Sequence, residues 1–163
     1  MAGEMVDLKS LKFGDVQSIK PGDFLLVSRR GEQRRFIAGP VEREHRMVIE
    51  LSDMQPARAV DWMRQPGLVF EDFRFEVEIG SEVVINDDKP IGSLAILDGH
   101  PAIMVPRDRP GTWYWMLLDV DSAPEFNIPD DTLVFTRWRI AWGSEDEPVE
   151  LFKFGPTVPT SKS

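Results

Sequence analysis

Ile91 to Val120 reads IGSLAILDGHPAIMVPRDRPGTWYWMLLDV, three apolar runs separated by two turn signals. Leu94–Leu97 and Ala102–Val105 flank Asp98-Gly99, a dipeptide that tolerates the positive φ angles of a two-residue hairpin turn. Arg109-Pro110-Gly111-Thr112 marks a second return, because Pro presets φ at the first central position and Gly supplies a positive φ at the next. The run Trp113–Leu118 that follows is too bulky to leave in water. The pattern predicts three consecutive antiparallel strands, the third covered on both faces.

On either side the signals remain those of short strands. Phe24–Val27 is a continuous apolar run, and Arg30–Gln33 is expected to turn the chain into a strand at Arg34–Ala38 that Gly39-Pro40 breaks. Arg46–Leu51 places Met47, Ile49 and Leu51 on one face and Val48 on the other. From Val69 to Ile79, Phe73, Phe75, Val77 and Ile79 alternate with charged residues, predicting one half-buried strand. A loop at Gly80-Ser81-Glu82 would pair Ile79 with Val83 and Val77 with Ile85, keeping the apolar face whole. Thr132–Trp142 reads as another strand, with Val134, Thr136, Trp138, Ile140 and Trp142 on one face, and Val149–Phe154 as the last. One or two short helices are expected, one after Gln55 at Pro56–Arg64, where Pro suits the first helical position, and a second if residues 5–12 wind into two turns. The fold class is therefore mainly β: a single antiparallel β-barrel or sandwich of about ten to eleven strands over residues 1–155, with a flexible tail at 156–163.

The 163 residues contain no cysteine, which removes disulfides, thiolate zinc sites and a cysteine nucleophile. Neither a signal peptide nor a bilayer-spanning apolar run is present in the sequence, so a cytoplasmic location is the expectation. The net charge of −9 is uneven: residues 1–64 carry 11 Lys and Arg against 10 Asp and Glu, and residues 65–163 carry 8 against 18. A surface of that sign disfavours nucleic acid and anionic membrane as partners.

No catalytic constellation stands out, and no cofactor or metal is expected. His45 and His100 are the only histidines, too few for a three-His metal site. His100 could pair with Asp98 as an oriented general base, giving a hydrolase or isomerase, but no nucleophile neighbours it in sequence. Asp119, Asp121, Glu125, Asp130 and Asp131 offer hard oxygen ligands without the spacing or glycine of a calcium loop, and read as a solvated acidic segment.

Two groups of residues remain as binding candidates. Arg29, Arg30, Arg34 and Arg35 lie at one expected hairpin, where guanidinium forks could grip phosphate. Arg30-Gly31-Glu32-Gln33-Arg34 resembles the Arg-x-x-x-Arg half of the PilZ domains that bind cyclic dinucleotides. The other half, Asp/Asn-x-Ser-x-x-Gly, is missing: Asp119-Val120-Asp121-Ser122 lacks its spacing and its glycine, so the match identifies no family. Four of the five tryptophans, Trp113, Trp115, Trp138 and Trp142, fall on two expected strands, and those on the even face of 134–142 should be core. The outward residues Phe135, Arg137 and Arg139, with Trp113, have the composition of a docking patch. The leading functional expectation is a non-catalytic, immunity- or adaptor-type module that recognises a protein partner, basic if charge steers the encounter, with a homodimer also compatible. The alternative is a small-molecule or nucleotide-binding barrel that uses the Arg29–Arg35 hairpin.

Overall fold

The computed structural model describes residues 9–11, 15–122 and 128–155. Among them the chain is mainly β, with fourteen strands in three antiparallel sheets and two short 3-10 turns. In chain order the strands are β1 (Lys9–Leu11), β2 (Phe24–Arg29), β3 (Glu32–Glu42), β4 (His45–Glu50), β5 (Gln55–Arg58), β6 (Gly67–Phe70), β7 (Arg74–Val77), β8 (Glu82–Val84), β9 (Leu94–Leu97), β10 (His100–Pro106), β11 (Trp113–Leu117), β12 (Leu133–Phe135), β13 (Trp138–Trp142) and β14 (Val149–Phe154). The sheets run β1-β6-β2-β3-β4-β5, β11-β10-β9-β12-β8 and β14-β13-β7. Each keeps two edges, so the described residues form packed open sheets rather than one closed barrel, and their strands outnumber the ten to eleven expected.

The central meander forms as its turn chemistry requires. Asp98 and Gly99 take φ of 52° and 81°, and Leu97 faces His100 across the turn. β10 then pairs with β11 through the return at Arg109–Thr112, where the Thr112 N–H donates to the Arg109 carbonyl at 3.2 Å. β11 is an edge strand, yet both its faces are covered as expected along most of its length, Tyr114 and Met116 on the shared core and Trp115 and Leu117 on a second cluster, and only Trp113 at its start is exposed.

The same left-handed pair of residues closes two more hairpins, Arg30-Gly31 between β2 and β3 and Arg43-Glu44 between β3 and β4. β3 does not stop at Gly39-Pro40. It runs on through a register shift between Ala38 and Val41, the irregularity that lets a strand carry a proline with no N–H to give.

A core shared by all three sheets explains the long apolar runs. Phe24, Ile37 and Ile49 from the first sheet, Leu94, Ile103 and Met116 from the second, and Trp138 and Ile140 from the third pack in one cluster. The opposite face of the six-stranded sheet carries Leu25, Val27, Phe36, Ala38 and Val48, closed over by Ala59, Trp62 and Met63. That second cover is why Phe24–Val27 is apolar on consecutive positions instead of alternating.

The helix expected over Pro56–Arg64 is absent. Gln55–Arg58 extends the sheet as β5, with Pro56 opposite Ile49 and Ala57 opposite Val48, and only Ala59–Asp61 winds into a 3-10 turn. Barely two turns of helix, too short to hold without packing, offer less than an edge position that packs Ala57 against Val48. Lys9–Leu11 is likewise a strand, paired with β6, in place of the helix expected over 5–12; residues 5–8 and 12, like the tail at 156–163 and Glu125, lie outside the described residues.

Val69–Ile79 is divided between two sheets: β6 pairs with β2, and β7 pairs with β13, the break falling at Asp72 with φ of 57°. Consequently β7 and β8 form no hairpin. Ser81 is buried, its N–H and Oγ both donating to the Glu78 carbonyl, and Ile79 is left 83% exposed instead of facing Val83. The stretch 132–142 divides in the same manner into β12 and β13, though Val134, Trp138 and Ile140 are buried as their alternation requires.

Candidate functional site

The β2–β3 hairpin separates its arginines by strand alternation. Arg29 and Arg34 share the face of Val27, where they sit over the Trp62 ring at 4.7 and 5.8 Å, and Arg34 donates to Glu50 at 2.9 Å and Glu32 at 3.1 Å. Arg35 lies on the other face and donates to the Leu151 carbonyl at 3.0 Å, while Arg30 stands exposed in the turn. The four guanidiniums do not converge on one point. Arg29 and Arg34 instead cap the cluster beneath Trp62 with their apolar stems and charge.

Arg137 and Arg139 belong to a ladder of ion pairs over the outer face of the three-stranded sheet. Arg139 donates to Glu76 at 2.8 Å and lies 3.6 Å from Glu150, Arg74 donates to Glu76 at 2.8 Å, and Arg137 pairs with Glu78. Register dictates these partners, since β13 sets Arg139 directly across from Glu76. Hydrogen bonds from Arg139 and Arg74, opposed by some desolvation, hold the Glu76 carboxyl below the usual carboxylate range. A depressed folded-state value means the stabilisation is present above the ordinary carboxylate range and is lost as pH falls through the depressed one. Glu76→Gln should therefore flatten the acid limb of a stability-against-pH curve, measured by urea melts at stepped pH, relative to the wild type. An unchanged acid limb would show that these exposed pairs contribute nothing, as many surface pairs do.

Phe135 and Trp113 are elsewhere. Phe135 is on β12 beside Leu94, and Trp113 begins β11, with the Lys89 ammonium 5.2 Å above its ring and Trp115 at its edge. Together with Ile85 and Met104 the two tryptophans line a cleft of about 350 Å³, and Trp115 Nε1 is buried without a hydrogen-bond partner among the described residues. His100 bonds through Nδ1 to Asp119 at 2.8 Å, not to Asp98, and no hydroxyl bonds to it among the described residues. Those residues hold no cluster of His, Asp and Glu able to bind a metal ion.

Two surfaces carry no signal in the sequence. The first is a rank of apolar side chains across the five-stranded sheet. Leu133 pairs with Val84, and one step along the β12–β9 register sets Leu133 opposite Ile96, which in turn pairs with Pro101. Direct cross-strand partners share a face. Val84, Leu133 and Ile96 are 39%, 51% and 51% exposed, whereas Leu94 and Ile103, farther along the same face, are in the shared core. Around the rank stand the carboxylates of Glu82, at the far end of β8, and the exposed Asp98 and Asp131 at the ends of β9 and β12.

The second surface is a cleft of about 1060 Å³ between the β3–β4 and β10–β11 hairpins, lined by arginines from both. In it the Arg107 guanidinium lies 4.9 Å over the Tyr114 ring. Burial pushes the nearby Glu42 carboxyl up against the pull of Arg107 and Arg43. Burial and the Glu42 charge raise Tyr114 as well, so its phenol remains a neutral donor.

No helix among the described residues is long and apolar enough to cross a membrane. Compared with models of protein families, with curated proteins and with solved structures, the chain matches none.

Proposed function

We propose that this chain is a non-catalytic binding module that recognises a protein partner, and that the partner docks on the Val84–Leu133–Ile96 rank. The observation that carries this reading is the exposure of three aliphatic side chains side by side on the neighbouring strands β8, β12 and β9, on a sheet face that is core a few residues away. Isolated exposed leucines need no explanation, but a contiguous rank on a rigid sheet is the form of an interaction surface. Its setting favours one kind of partner. Glu82, Asp98 and Asp131 surround it, and residues 65–163, which contribute all of it, carry 18 acidic against 8 basic residues. A segment that presents apolar side chains between lysines or arginines complements both features, the apolar centre supplying contact and the carboxylate rim steering the approach. Arg137 and Arg139 are engaged by carboxylates of the same chain and have no part in this surface.

A photo-crosslinking side chain at position 133 tests it in native lysate. The expected result is an adduct with a Lys/Arg-rich protein, lost both in Ile96→Asp and in about 1 M salt, where the screening length falls to about 3 Å. Adducts only between copies of this chain, or an adduct indifferent to Ile96→Asp and to salt, would overturn the proposal.

A further inference from the structure

The cleft between the β3–β4 and β10–β11 hairpins is independent of the apolar rank, and we propose that it binds a small organic phosphate through Arg43, Arg107 and Arg109. Its position follows from the folding of two turns. Arg43 occupies the left-handed turn that closes β3 onto β4, and Arg107 and Arg109 occupy the return between β10 and β11. The sheets bring these tips together although the residues are more than sixty positions apart in sequence.

What sets the cleft apart is that three arginines without an ion pair border one concavity, whereas Arg29, Arg30 and Arg64, which also have none among the described residues, do not line it. Arg34, Arg74, Arg137 and Arg139 each have a carboxylate of this chain within ion-pair distance, and within the cleft Arg58 pairs with Asp61 at 3.3 Å. Arg43, Arg107 and Arg109 have neither an ion pair nor a side-chain hydrogen bond among the described residues, in a chain with 28 acidic against 19 basic side chains. The Arg107 guanidinium lies 4.9 Å from the Tyr114 ring centroid and makes no side-chain hydrogen bond among the described residues, which leaves its N–H groups free to donate. Three guanidiniums bordering one concavity of an acidic protein are an unfilled demand for an anion.

Which anion is a matter of charge and shape. A guanidinium donates two parallel N–H bonds to adjacent oxygens, and a phosphate ester offers three terminal oxygens and up to two charges where a carboxylate offers two oxygens and one. The remainder of the ligand meets the Tyr114 ring, Met47 and the flat faces of Pro56 and Pro106, a wall suited to a ring and not to bulk water. A polymer of phosphates is disfavoured, because Glu42, Asp61 and Asp108 line the same cleft and the chain as a whole is at −9. Glu42 is the internal opponent of the site: a carboxylate half-buried beside Arg43 and Arg107, it repels any anion that enters.

Calorimetric titration with AMP, pyrophosphate and inorganic phosphate at low ionic strength tests the assignment. AMP is expected to bind at least about tenfold more tightly than inorganic phosphate, the difference reporting the Tyr114 wall, with pyrophosphate between them. The Arg107→Ala/Arg109→Ala variant, altered only at exposed positions, should lose at least about tenfold in AMP affinity, and Arg43→Ala should lose affinity separately. Glu42→Gln should tighten AMP binding, a change in the direction that damage to the fold could not produce. Arg74→Ala, in the ladder on the other sheet, should leave it unchanged. Absence of AMP binding, equal affinity for AMP and inorganic phosphate, or AMP binding that survives Arg107→Ala/Arg109→Ala would each overturn the proposal.

Discussion

Trp138→Ala is expected to cost about 3–5 kcal/mol of stability, the range for truncating a large buried aromatic, and to leave little folded protein at modest denaturant. Trp138 sits on the middle strand of the three-stranded sheet, and its ring meets Phe75, Phe152 and Phe154 at 5.6–5.7 Å between centroids. Its indole N–H reaches out of that sheet to donate to the Gly92 carbonyl at 2.9 Å, just before β9. One side chain thus ties the small sheet to the five-stranded one by packing and by a buried hydrogen bond. Trp138→Phe separates the two contributions. It retains most of the apolar contact and leaves the Gly92 carbonyl buried without its donor, so it should lose about 1–3 kcal/mol. Urea melts of the two variants read both numbers. If the alanine variant lost less than about 1 kcal/mol, the three-stranded sheet would not be part of the cooperative core.

The other large effect is expected at Gly92 itself. Its φ of 99° belongs to a region that side-chain-bearing residues avoid, and a Cβ placed there would lie 2.9 Å from Met54 Cγ and 2.7 Å from Phe154 Cζ. Met54 is buried and the Phe154 ring is stacked on Trp138, so neither moves without disturbing the shared core. Gly92→Ala should therefore add an overpacking cost of about 1–3 kcal/mol to a backbone cost of about 1–2 kcal/mol. Gly99→Ala is the control, because Gly99 has φ of 81° in an open hairpin turn, where an added Cβ would meet nothing within 4 Å. It should show the backbone cost alone. Equal losses at the two glycines would mean that the space around Gly92 relaxes freely and that the crowding has no energetic consequence.

Both effects depend in part on contacts between residues about forty to sixty positions apart, which no local pattern reveals. The functional surfaces share that difficulty. Strand alternation correctly puts Leu133 opposite in sense to Val134, but an exposed leucine beside an exposed isoleucine follows only from β12 lying next to β9. The arginines are equally misleading as a sequence cluster. Arg29, Arg30, Arg34 and Arg35 are close along the chain and diverge in space, because alternation sends Arg34 to Glu50 and Trp62 on one face and Arg35 to the Leu151 carbonyl on the other. Arg43, Arg107 and Arg109 carry no motif. A residue pair such as Arg43-Glu44 gives no turn signal either, since neither type favours the positive φ that the β4 pairing imposes on both.

What the amino-acid order determined unaided is short in range: the β class, the meander turned at Asp98-Gly99, and the inward sense of Val134, Trp138 and Ile140. Those features arise from φ preferences and from a two-residue side-chain period, both of which act between neighbours in the chain. Tertiary structure alone decided that residues 67–77 and 133–142 divide between sheets, that Gln55–Arg58 is an edge strand instead of a helix, and which strands lie side by side. Pairing of that kind is chosen by how much apolar surface all three sheets bury together, a sum over distant residues. The same sum leaves the Val84–Leu133–Ile96 rank uncovered and three arginines of one cleft without an ion pair among the described residues, the two surfaces on which the proposed binding rests.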